Sequence, residues 1–129
     1  MNNMNNKIDI HDRLLRFSVA IVKICKVLAK DSGNRSIADQ LLLSGTSVGA
    51  NMQEADAAVS KKDFINKVNI AKKEIQETNY WLKLIKCAEI VEGEANLRQL
   101  DVLFKESEEL TKIIGAILFN CMRNSAYIS

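Results

Sequence analysis

Gln40-Leu41-Leu42-Leu43-Ser44-Gly45-Thr46-Ser47-Val48-Gly49-Ala50-Asn51 is the run on which the fold turns. Leu41, Val48, Met52 and Ala55 fall on one face at helical spacing, so the run belongs inside a helix. Each glycine costs such a helix about 1 kcal/mol relative to alanine, which packing must offset. Gly45 and Gly49 stand four residues apart and share one side, where a second helix can approach closely. Asn51 would then need a hydrogen-bonding partner across that contact. A phosphate loop does not fit: the GxxxxGK[ST] pattern is absent and no strand precedes the run.

Punctuation on either side sets the rest. Asp31-Ser32-Gly33-Asn34 is a turn cluster, Ser60 opens a capping box with Asp63, and Glu92-Gly93 closes a long segment. Helices are predicted over 12–30, 36–58, 61–91 and 95–123, with residues 1–11 a flexible leader. With no Pro and only 5 Gly in 129 residues, nothing else breaks the helical period. Long helices with short connections give one all-α domain over 1–129, an up-and-down antiparallel four-helix bundle.

Core stripes follow from 100° steps. They are Leu14, Phe17, Ile21, Ile24 and Leu28; Ile37, Leu41, Val48, Met52, Ala55 and Val59; Phe64, Val68, Ala71, Ile75 and Leu82; and Leu97, Leu100, Phe104, Ile114, Leu118 and Cys121. A second apolar set lies off these stripes: Leu43, Ala50 and Ala57 on the second helix, with Ile70, Trp81, Leu84, Ala88 and Val91 on the third. Aligned exposed apolar stripes mark a subunit contact, so Leu43, Ala50, Ala57, Ile70, Trp81, Leu84 and Ala88 are the candidate oligomer interface.

Net charge is only +2, yet it is unevenly spread. Residues 12–30 carry Arg13, Arg16, Lys23, Lys26 and Lys30 against one acid, Asp12. Arg16, Lys23 and Lys30 recur every seven residues and make a basic stripe, a candidate phosphate-tracking surface for RNA or DNA. No aromatic residues interleave with it, so base stacking is not indicated.

Catalytic chemistry has little to draw on. The single His11 reads as a solvated side chain in the polar leader. Glu74 and Glu77, at i and i+3, read as surface charges beside Lys72 and Lys73 rather than an acid–base pair. No Glu-x-x-His pair exists to hold a di-metal site, so neither a metal nor a cofactor is expected. Cys25, Cys87 and Cys121 are odd in number and far apart, the pattern of reduced thiols in a cytoplasmic protein. Neither a signal peptide nor a membrane span is read.

Several separated motifs together carry a resemblance: the Gln40–Asn51 run, Glu54-Ala55, Ser60-Lys61-Lys62-Asp63-Phe64, Ile70-Ala71 and Glu77-Thr78-Asn79-Tyr80-Trp81-Leu82. The chain resembles the bacterial four-helix-bundle family of proteins encoded in intervening sequences of large-subunit ribosomal RNA genes. The accessory variability protein of diversity-generating retroelements looks like a relative. The resemblance implies a homopentamer without enzymatic activity, and a possible nucleic-acid-processing partner such as a reverse transcriptase. Members often carry Arg where this chain has Leu43. The expected function is non-enzymatic nucleic-acid or partner binding by an oligomer; the alternative is a protein-binding scaffold with no nucleic-acid affinity.

Overall fold

In the computed structural model, which describes residues 9–128, the chain forms four helices: α1 (Ile10–Leu28), α2 (Arg35–Asp56), α3 (Lys61–Cys87) and α4 (Glu94–Ile128). A 3-10 turn at Ser32–Asn34 precedes α2, and no strand occurs among the described residues. The ends follow local chemistry. Asp9 accepts the His11 amide and starts α1, so Ile10 and His11 are helical rather than leader; residues 1–8 lie outside the described residues. Ser60 accepts the Asp63 amide at 3.1 Å and starts α3.

All four helices end away from their predicted boundaries, and α1 stops at Leu28, two residues before the end read from the sequence. α2 stops at Asp56 with Ala57 as its C-cap, because the chain must extend to reach the Ser60 cap. α3 stops at Cys87, where Glu89 turns left-handed at φ 56°. That conformation normally belongs to glycine or asparagine, so a glutamate gives no sequence signal for the stop. α4 runs on to Ile128, with neither Pro nor Gly after Gly115 to break it.

Cross-helix pairs show that neighbours are antiparallel. Cys25 reaches the Ala38 carbonyl while Gly49 meets Leu14, so α2 descends as α1 rises. Ser44–Thr78 and Glu54–Lys67 order α2 against α3; Asn79–Ser107 and Lys86–Asp101 order α3 against α4. The expected close approach is at Gly45, where an added Cβ would lie 2.8 Å from Ile21 Cγ2. α1 and α4 close the bundle along its thinnest seam.

The stripes meet in one core. Leu14, Ile21, Leu41, Val48, Val68, Ile75, Leu82, Leu100 and Ile114 are all essentially inaccessible. Two expected core residues are not: Val59 is 96% exposed because it lies in the α2–α3 turn, and Leu97 is 45% exposed in the first turn of α4. Ile37, Phe64 and Phe104 pack against the core edge, and Cys121 is half-buried. Val91, read as an outer residue of the third helix, is buried, because the left-handed turn at Glu89 folds it back under the bundle. Three hydroxyl residues, Ser44, Thr78 and Ser107, are also buried. Thr78 Oγ1 lies 2.8 Å from the Glu74 carbonyl and 3.0 Å from Ser44 Oγ. Asn79 Nδ2 donates to Ser107 Oγ at 2.8 Å, and that hydroxyl donates to the Phe104 carbonyl at 2.7 Å. These three buried hydroxyls are thus satisfied rather than stranded.

Glycine tests separate packing from propensity. Gly45→Ala should lower unfolding stability by about 1–2 kcal/mol, because the β-branched Ile21 cannot move its Cγ atoms aside. Gly115, with nothing within 4 Å of an added Cβ, should respond oppositely. Gly115→Ala should gain about 0.5–1 kcal/mol from helix propensity alone. Denaturant unfolding of the two variants checks the opposite signs.

Candidate functional site

Two rows of side chains run along the outside of the α2–α3 pair. On α2 the row is Leu43, Ser47, Ala50 and Glu54; on α3 it is Lys67, Ile70, Glu74 and Trp81, all within a narrow helical arc. Lys67 Nζ and Glu54 Oε1, 2.8 Å apart, tie the rows at one end, and Ser47 lies beside Glu74 in the middle, its hydroxyl donating to the Leu43 carbonyl at 2.6 Å. Leu43 is 65% exposed, and Ala50 and Ile70 are also exposed. Trp81 is half-buried: its ring packs on the core edge and against Tyr80 edge to face at 5.3 Å, and its Nε1 donates to Glu77 Oε2. Leu84 is half-buried, while Ala57 and Ala88 are C-caps at helix ends. Asn51 needs no partner on another helix, because its Nδ2 donates to the Ser47 carbonyl at 2.9 Å within α2.

Glu74 sits among these apolar side chains. Burial chiefly, and the Glu77 charge next, raise its carboxyl above the ordinary glutamate value; the Ser47 hydroxyl pulls the other way. No cation pairs with it among the described residues.

The basic row divides in two. Arg13 is bound by both oxygens of Glu106, Nε at 2.7 Å and Nη2 at 2.8 Å, and that hydrogen bonding raises its pKa further. Its charge therefore stitches α1 to α4. Arg16, Lys23 and Lys26 on α1, and Lys30 in the turn just past its end, are exposed, and among the described residues no ion pair holds them.

His11 is not the solvated side chain expected of a leader. The start of α1 brings its Nε2 to Asp56 Oδ2 at the end of α2. Its Nδ1 is buried and, among the described residues, has no hydrogen-bond partner, so it is paired with no hydroxyl or thiol as a general base would be. Burial pushes the Cys25 thiol up to about 12, and Sγ donates to the Ala38 carbonyl at 3.3 Å. All three cysteines are free, and the described residues contain no group of three metal-ligating side chains. No helix among them is long and apolar enough to cross a membrane.

Comparison with known proteins adds a family. Residues 6–116 match the family described as 23S rRNA-intervening sequence protein. A crystal structure of a protein of unknown function from the S23 ribosomal protein family of Bacteroides thetaiotaomicron VPI-5482 is 40% identical, with a TM-score of 0.76. The likeness covers 85% of this chain and 98% of that one. Among curated proteins none matches. Neither description names an enzymatic activity.

Glu74 makes a pH prediction. A carboxyl whose folded pKa is raised favours the fold while protonated, and that contribution is lost as pH rises through the raised value. Glu74→Gln should therefore raise the thermal midpoint at neutral pH, and the gain should vanish below about pH 4, where glutamate is protonated in both states. Thermal unfolding of both proteins across this range checks it.

Proposed function

Because the chain belongs to the 23S rRNA-intervening sequence protein family, we propose that it is a non-enzymatic cytoplasmic homo-oligomer that binds nucleic acid through α1. One observation supports this above all: Arg16, Lys23, Lys26 and Lys30 form an exposed basic row in which every charge is left unneutralised among the described residues. Arg13, committed to Glu106, drops out of that surface. The α2–α3 face, with Leu43, Ala50, Ile70 and Trp81, supplies the subunit contact, and cyclic symmetry repeats the basic row once per subunit. The sequence resemblance favours five subunits. Contact of this kind would bind phosphates without reading bases.

Leu43→Asp should dissociate the assembly and leave the helices intact. It places a charge where each buried large side chain contributes about 1.5–3 kcal/mol. Native mass measurement should give about five times the 14.5 kDa chain for the unmodified protein and a monomer for the variant. A monomeric unmodified protein would remove the subunit contact.

Lys23→Glu combined with Lys30→Glu should abolish binding to duplex DNA or RNA at low salt without changing the mass. For the unmodified protein, log K should fall with log salt by about 0.9 per phosphate neutralised on DNA. Absence of any affinity at low salt would leave a protein-binding scaffold as the function.

A further inference from the structure

The thin α1–α4 seam holds a groove of about 570 Å³, inside the range of about 300–1,000 Å³ typical of ligand clefts. Phe17 and Leu103 form its floor, each 2% exposed, and Ala20 keeps one wall low. Val102, 62% exposed, stands on the α4 side with its aliphatic surface uncovered. The lining runs over Arg13–Ala20 and Gln99–Glu109, about 10 and 15 Å of helix, which is the length of two to three turns.

Charge selects the occupant. Both acids on the rim are already paired, Glu106 with Arg13 and Glu109 with Lys112 at 3.5 Å. Arg16 on the α1 wall and Lys105 on the α4 wall are exposed, with no ion pair among the described residues. An occupant must therefore bring apolar side chains for the floor and negative charge for both walls. We propose that this groove receives an amphipathic helix of a partner protein, with aliphatic anchors at i, i+3 or i+4 and i+7 and acidic residues flanking them.

Two other occupants fit less well. Nucleic acid would supply the negative charge, but the floor offers no exposed ring for a base to stack on, since Phe17 is buried. A second copy of the chain is assigned to the α2–α3 face, which lies across the bundle from the α1–α4 seam.

A fluorescein-labelled helical peptide of about four turns, with leucine anchors and flanking glutamates, serves as the probe, read by fluorescence anisotropy against the full chain. It should bind the unmodified protein, and a counterpart with lysine in place of each glutamate should bind about tenfold more weakly. Val102→Glu and Lys105→Glu should each weaken the acidic peptide by about tenfold, at unchanged circular dichroism. Lys105 is exposed, so its variant reports even if Val102→Glu is poorly folded. Lys23→Glu with Lys30→Glu should leave peptide binding intact, which separates this groove from the basic row. The proposal is overturned if the acidic peptide does not bind, if both groove variants bind it normally, or if loss follows Lys23 and Lys30 instead. Binding of single-stranded RNA that Val102→Glu abolishes would assign the groove to nucleic acid and overturn it equally.

Discussion

There is no room for one more carbon where α2 crosses α1 at Gly45, with Ile21 Cγ2 and Cγ1 at 2.8 and 2.9 Å from its place. The preceding residue, Ser44, is hydrogen-bonded to Thr78 on α3. One turn of α2 therefore sets both the separation from α1 and the register against α3. A slip of one residue would turn Ser44 away from Thr78 and swing Leu43 toward the core, exchanging a satisfied hydroxyl for a misplaced leucine. Interiors packed at crystal-like density do not absorb such a shift gradually. Leu41 and Val48, on either side of this turn, are fully buried as a result.

That constraint also distributes the surfaces. Fixing the α2 face that meets α1 and α3 leaves Leu43 and Ala50 pointing outward beside Ile70 and Trp81. The same register brings Ser47 beside Glu74 and Glu54 beside Lys67. Glu74 is the odd member of this face, a carboxyl whose pKa is raised chiefly by burial, with no cation paired to it among the described residues. On the far side the Arg13–Glu106 bridge holds α1 to α4, while the remaining bases of α1 face solvent.

Much of this was legible in the sequence because helical period reports faces directly. The core stripes, the outward Leu43 and Ile70, and the small-residue approach at Gly45 all follow from spacing. Helix ends were less legible. A left-handed glutamate at position 89 gives no signal, so Val91 read as an outer helical residue when it is buried. Val59 and Leu97 misled for the same reason: spacing assigns a face but not the point where the helix begins or stops. Pairings between distant residues were the least legible. Nothing in the sequence joins His11 to Asp56, Arg13 to Glu106, or Ser44 to Thr78, since each partner is supplied by another helix. Asn51 failed differently, by satisfying itself within its own helix.

The α1–α4 seam has a dynamic consequence. Arg13 and Glu106 are 93 residues apart in the chain, whereas α2 and α3 are joined by a turn of four. Closing the long loop carries the larger entropy loss, and the seam has the fewest contacts to offset it. The bundle should therefore open first along this line, between α1 and α4, with the α2–α3 hairpin the last to part. Amide exchange should rank the elements in that order, with α1 in the less protected cooperative unit. The fold keeps its most rigid edge where subunits are proposed to meet and its most yielding edge where a partner helix would enter.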